Sequence, residues 1–168
     1  MRRLILFRHA KTEARPPGRE DIDRVLVPRG RADAALIGGV LARAGLSPDL
    51  VLVSPAARAK ETWACAAPAF PNARTEERDG LYNATPEEVE AELGAAALAD
   101  TVMVVGHNPS LQELAVNILV DNGGSPADIE TVSAGFPTAT AAAFLIDDAG
   151  RLSLEGLFRA RDYRPADL

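Results

Sequence analysis

The chain has 168 residues and a mass of 17.8 kDa, which one hydrophobic core can fill, so a single domain over residues 1–168 is expected. Hydrophobic residues at 47% and charged residues at 25% are ordinary values for a globular protein and make disorder or a solenoid array poor readings. The net charge of −6, with a pI near 5.0, argues against a general nucleic-acid coat; any anionic substrate must be caught by local positive charge.

The first residues, Met1-Arg2-Arg3 and then Leu4 to Phe7, place only four apolar residues after the basic ones, whereas a signal-peptide core needs roughly 7–15. No stretch approaches the roughly 20 apolar residues of a membrane span. A cytoplasmic protein with no membrane association is therefore expected. Leu4–Phe7 reads as a buried strand that stops at Arg8-His9. Pro28-Arg29-Gly30 opens a helix to about Ala44, with Gly45 beyond its end. Leu50–Val53 is a second strand, and Ser54-Pro55 supplies an N-cap and a first helical residue for a helix to about Ala67, closed by Pro68. Thr85-Pro86-Glu87-Glu88 starts another helix, with acids in its first turn and Val89, Leu93 and Ala97 on its apolar side. Thr101–Val105 is the clearest strand; it ends at Gly106-His107-Asn108, and Pro109 opens a helix to about Val120. Asn122 to Pro126 is a loop. Thr138–Ile146 and Leu152–Phe158 read as strands joined across the turn-rich Asp147-Asp148-Ala149-Gly150. Alternation of strands and helices predicts a three-layer α/β/α protein with a mostly parallel central sheet, the last strands being candidates for an antiparallel arrangement.

One cysteine, Cys65, rules out an intramolecular disulfide and a cysteine-only metal site. With only His9 and His107, a zinc site would need carboxylates, and neither a metal nor a cofactor is expected. In open α/β sheets ligands bind beyond the carboxyl ends of the strands. Arg8-His9, Ser54 with Arg58 in the next turn, and His107 all fall there. If those strands are neighbours, two imidazoles and two guanidiniums face one crevice. Arginine forks match phosphate oxygens, and helix N-termini add backbone N–H groups. A histidine among such cations stays neutral and keeps a lone pair for attack on phosphorus. A second histidine can donate to a phosphoryl oxygen as charge builds. Taken singly these residues have plainer readings: a hydrogen-bonded loop histidine, a solvated helix arginine, a turn glycine. Their common placement at strand ends is what points to a site.

These residues also resemble a known family. Leu6-Phe7-Arg8-His9-Ala10-Lys11-Thr12 is similar to the Arg-His-Gly/Ala signature of the histidine phosphatase superfamily, the phosphoglycerate mutase-like fold. Asp21 to Gly30 resembles the segment before that family's first helix. Ser54-Pro55-Ala56-Ala57-Arg58-Ala59-Lys60-Glu61-Thr62 resembles its Ser-Pro-x-x-Arg-x-x-x-Thr element, Val105-Gly106-His107-Asn108-Pro109 its second-histidine motif, and Phe136-Pro137-Thr138 its entry to a late strand. The short chain and Ala10 resemble the SixA branch of phosphohistidine phosphatases. The resemblance implies His9 as nucleophile, with Arg8, Arg58 and His107 around the phosphate and Thr12 as a further hydroxyl on it. Thr12 as a simple turn or cap hydroxyl is an equal reading.

Relatives that cleave phosphomonoesters carry a glutamate after the third strand; Asn83 stands near that place here, and an amide has no ionisable proton to give. Asp21 is the first candidate for a substitute acid, ahead of Glu61 and Glu77, although surface charge is the plainer reading for all three. The expected activity is removal of phosphate from phosphohistidine in a protein. The partner would be a phosphorylated histidine domain of a signalling or phosphotransfer system, and the phosphatase a monomer. The rival readings are a phosphomonoesterase acting on a small phosphate ester and a silent phosphoryl-binding module. A mutase is less expected, because returning the phosphoryl group requires a closed, water-free site.

Overall fold

Leu4, Ile5, Leu6 and Phe7 are all buried, as a central strand covered on both faces requires. In the computed structural model, which describes residues 1–96 and 98–165, they belong to β1 (Arg3–Arg8). The other strands are β2 (Leu50–Val53), β3 (Arg74–Glu77), β4 (Thr101–Gly106), β5 (Thr140–Ile146) and β6 (Leu152–Arg159). The six form one sheet in the order β3-β2-β4-β1-β5-β6. The first four in that order run parallel; β5 lies antiparallel to β1, and β6 antiparallel to β5. The architecture is an α/β fold with a mixed, mostly parallel sheet.

Because successive strand residues point to opposite faces, the apolar strands divide into two layers. Ile5, Phe7, Val51, Val53, Met103 and Val105 pack with Ile37 and Leu41 of α1 (Pro28–Arg43) and Ala59 and Trp63 of α2 (Ala57–Ala66). Leu4, Leu6, Leu50, Leu52, Val102 and Val104 face the other way. They meet Val89 of α3 (Pro86–Gly94), Leu111, Leu114 and Ile118 of α4 (Ser110–Asp121) and Val132 of α5 (Pro126–Ala134). No helix among the described residues is long and apolar enough to cross a membrane.

Several boundaries follow from particular side chains. Thr85 accepts the Glu88 N–H, and the Glu88 carboxylate accepts the Thr85 N–H, so a full capping box starts α3. Ala97, expected on that helix, lies outside the described residues. α2 begins at Ala57 and not at Pro55, with Ala56 as its N-cap and no side-chain cap; the Ser54 hydroxyl accepts the Ala56 N–H at 3.4 Å and also meets His107. β5 begins at Thr140 because Ala139 takes a positive φ of 54° and its N–H turns to the His9 carbonyl. Two elements carry too little apolar signal to be read in advance: the polar edge strand β3, Arg-Thr-Glu-Glu, and α5, which Ser125 caps through the Asp128 N–H.

Gly30, in the first turn of α1, lets the helix approach the loop after β1. A Cβ there would stand 2.2 Å from the Lys11 carbonyl oxygen, which already accepts the Val27 N–H at 3.0 Å. Gly30→Ala is expected to destabilise the fold by about 1–3 kcal/mol through backbone displacement. Thermal unfolding should show a fall of about 2–4 °C per kcal/mol; an unchanged midpoint would contradict this close approach.

Candidate active site

The parallel register aligns Arg8 of β1 with Gly106 of β4 and Val53 of β2 with Val105 of β4. The chain therefore leaves three adjacent strands at one edge, through His9, Ser54 and His107. The His9 N–H donates to the Gly106 carbonyl at 2.9 Å, and the Ser54 N–H donates to the Val105 carbonyl at 3.1 Å. Residues 98 positions apart in sequence thus meet, with imidazole centroids 5.3 Å apart and planes tilted by 56°.

His9 is buried, and its Nδ1–H donates to the Ala10 carbonyl at 2.8 Å. A carbonyl can only accept, so this bond puts the proton on Nδ1 and leaves the lone pair on Nε2. Burial lowers the pKa of His9 to about 4, against the Ala10 bond; the positive charges of Arg58, Arg8 and Arg24 lower it further. His9 is neutral at physiological pH.

The Nε2 atom of His107 lies 2.7 Å from the Ser54 hydroxyl oxygen. That oxygen also accepts the Ala56 N–H at 3.4 Å. Nδ1 of His107 is buried and has no hydrogen-bond partner among the described residues. Burial lowers the His107 pKa to about 3, followed by His9 and Arg58, with Asp21 opposing. Arg8 donates through Nη1 to the Phe136 carbonyl at 2.8 Å, and Arg58 donates through Nη1 and Nη2 to Asp21. The Nε atoms of both arginines are buried without an acceptor among the described residues. Arg8, His9, Arg58 and His107 are thus brought together, as a neutral imidazole with a free lone pair among buried nitrogens that lack partners among the described residues.

The other expected residues lie around this group. Asp21, on a one-turn 3-10 helix (Asp21–Asp23), accepts Arg58 Nη2 at 3.1 Å, the Tyr82 hydroxyl at 2.8 Å and Arg24 Nε at 2.9 Å. Burial works to raise its pKa, but the Tyr82 bond and the two arginines outweigh it and hold the carboxyl low. An ionised Asp21 accepts hydrogen bonds and has no proton to give. The Thr12 hydroxyl accepts from Arg24 Nη1 at 3.2 Å, on the same side as Asp21. Glu61 is engaged by the Leu26 N–H and Arg31, and Glu77 pairs with Lys60 at 3.6 Å. Asn83, with a positive φ of 53°, helps line a cleft of about 300 Å³ with Arg58, Ala84, His107, Asn108, Pro109 and Ser110.

Sequence reasoning did not single out Ser54 as a partner of His107, nor Arg24 or Tyr82. The Tyr82 ring lies edge-on to His107 at 5.9 Å between centroids and under Arg58 at 5.9 Å. Its one sequence signal is its position beside Asn83.

The histidine pKa values carry a prediction for stability. Both lie below the unfolded value of about 6.5, so between that pH and about 4 for His9 or about 3 for His107 the unfolded chain binds more protons. Stability is complete above pH 6.5 or so and falls as pH drops. Going from pH 7.5 to pH 5 should cost about 1–2 kcal/mol per histidine in urea unfolding, and the paired substitutions His9→Asn and His107→Asn should flatten that dependence. An equally steep dependence in the double variant would contradict the assignment.

Residues 4–92 match the histidine phosphatase superfamily (branch 1). An uncharacterized Mycobacterium tuberculosis protein, Rv1276c, is 42% identical over 135 residues, which cover 79% of this chain and 82% of that protein. The proposed phosphohistidine phosphatase SixA of Agrobacterium tumefaciens is 31% identical, with a TM-score of 0.83 over 94% of this chain and 97% of its own. The phosphoglycerate mutase of Plasmodium falciparum, at 17% identity, shares the fold with a TM-score of 0.66 over 99% of this chain and 95% of its own. The sheet, the helical layers and the paired histidines at the strand ends thus sit in a phosphoglycerate mutase-like fold, and the chain belongs to branch 1 of the histidine phosphatase superfamily.

Proposed function

We propose that the protein is a metal-independent phosphatase that removes the phosphoryl group from phosphohistidine in a partner protein, by way of a phosphohistidine formed on His9. The observation that carries this reading is the set of three buried nitrogens, Arg8 Nε, Arg58 Nε and His107 Nδ1, with no hydrogen-bond partner among the described residues; with the Ser54 hydroxyl donating to Nε2 of His107, all three are N–H donors. Leaving a buried donor unpaired costs about 1–3 kcal/mol, more for charged groups. A tetrahedral phosphoryl group among them would satisfy all three and meet the His9 lone pair.

In the first step Nε2 of His9 attacks phosphorus, and the bond from phosphorus to the substrate imidazole breaks. That imidazole departs as a neutral ring when its other nitrogen is already protonated. In the second step water attacks the phosphoryl group on His9. The P–Nε2 bond breaks, orthophosphate forms, the water's proton passes to phosphate or solvent, and neutral His9 returns. Arg8 and Arg58 supply the positive charge throughout, and His107 donates to the oxygen on which charge builds.

Two features favour a phosphoramidate over an ester. An alkoxide leaving group needs a proton donor, which typically contributes 10²–10⁴-fold. Here Asn83 lines the cleft and the nearest carboxyl, Asp21, is held ionised. The SixA-like similarity of the whole chain supports the same choice. Such a partner would be a phosphorylated histidine domain of a signalling or phosphotransfer system.

The test is to incubate the protein with a panel of phosphohistidine proteins and of small phosphate esters, with acid-labile phosphate on His9 trapped by rapid quench. Phosphohistidine should be hydrolysed, and His9→Ala should lower turnover by about 10³-fold or more. Arg58→Ala should lower it by about 10²-fold or more, as loss of one transition-state donor does. Robust ester hydrolysis with no action on any phosphohistidine would overturn the substrate assignment. Turnover without any phosphate on His9 would overturn the mechanism.

A further inference from the structure

We propose that Tyr82 is a positioning residue for Arg58 and acts on it through the Asp21 carboxylate. The inference rests on the phosphoryl-transfer reading of this pocket and extends it to a residue outside the four central groups. Arg58 has two ends. Its Nε is buried and unpaired beside the histidines, while Nη1 and Nη2 are held by the Asp21 carbonyl at 2.8 Å and the Asp21 Oδ2 at 3.1 Å. Gripping the far side of a planar guanidinium at two points sets the direction of its Nε–H.

The grip is only as firm as Asp21, and the local turn does little to fix it. None of the residues Asp21–Asp23 is buried, and the Asp21 side chain is 43% exposed. Its carboxylate is fixed from two sides. Arg24, in the same loop, donates to Oδ1 at 2.9 Å. Tyr82 lies 61 residues away in sequence and donates at 2.8 Å to Oδ2, the oxygen that also takes Arg58. Tyr82 follows a 3-10 turn after β3 (Asp79–Leu81), and its ring is held edge-on to His107 with the Arg58 guanidinium over its face. The phenol thus ties a half-exposed carboxylate to the wall of the pocket. Burial and then Asp21 raise the Tyr82 pKa, so the phenol keeps the proton it gives to Oδ2. That proton is committed to Asp21, which separates Tyr82 from a donor to the leaving group.

Tyr82→Phe removes the hydroxyl and keeps the ring. It should lower kcat/KM for phosphohistidine by about tenfold and weaken inhibition by orthovanadate to a similar degree, as expected for one lost bond to a charged group. The loss should be equal for substrates with good and poor leaving groups. Asp21→Asn alone should cost at least as much, and the double variant no more than the Asp21→Asn single, since both act along one chain of contacts. Wild-type kinetics in Tyr82→Phe, additive losses in the double variant, or a loss that grows with leaving-group pKa would each overturn the inference while the wild-type enzyme remains a phosphatase. A wild-type protein that neither turns over phosphohistidine nor binds vanadate would instead remove the phosphatase reading, and the inference with it.

Discussion

Three buried nitrogens without hydrogen-bond partners among the described residues, beside a neutral imidazole, are the constraint from which the rest of this structure takes its meaning. Folded proteins pair more than nine in ten of their buried polar groups, so such a cluster is expensive unless a ligand completes it. Here the three nitrogens lie at the edge of the sheet where three strand ends converge. The same surroundings keep His9 and His107 neutral. Burial disfavours their charged forms, and the arginines that would hold an anion add to that effect. In the proposed mechanism, capture of a phosphoryl group and preservation of a lone pair on His9 would therefore come from one arrangement of charge.

The sheet is what makes the arrangement possible. Parallel pairing of β1 with β4 and of β4 with β2 sets Arg8, Gly106, Val105 and Val53 in register, and a slip of a single residue would turn the buried side chains to the wrong face. Both layers of apolar residues hold that register: Phe7 and Val105 on one side, Leu6 and Val104 on the other. Outside this rigid base, the pocket borrows from less regular chain. Asp21 comes from a turn without buried residues, Tyr82 from the turn after β3, and the Phe136 carbonyl that holds Arg8 from the segment before β5.

Much of this was legible in the sequence, and what escaped has physical causes. The apolar runs at Leu4, Leu50 and Thr101 and the breakers after them marked three of the parallel strands, and strand-end placement directed attention to His9 and His107. Arg58 was found by its place one turn beyond a strand end, although an arginine beside Lys60 and Glu61 taken alone reads as a solvated helix face; it is only 5% exposed. β3 escaped because its four residues carry charge or hydroxyl groups, and α5 because its apolar side is weak. Ser54 was readable as a helix cap, the usual role of a serine before proline; its hydroxyl instead faces a histidine that follows it by 53 positions. Tyr82 bonds to Asp21 across a similarly long separation, which no local pattern reports. Local chemistry can be read along the chain, whereas pairings made by the tertiary fold need the fold.

The central claim is that one tetrahedral oxyanion completes the three unpaired donors. A crystal structure of the protein with tungstate tests it most directly. The account predicts one anion in contact with Arg8, Arg58 and Nδ1 of His107, at hydrogen-bond distances of about 2.7–3.2 Å, with Nε2 of His9 turned to its central atom. An anion bound away from these groups, or a pocket that stays free of tungstate while His9 and His107 keep their positions, would contradict it.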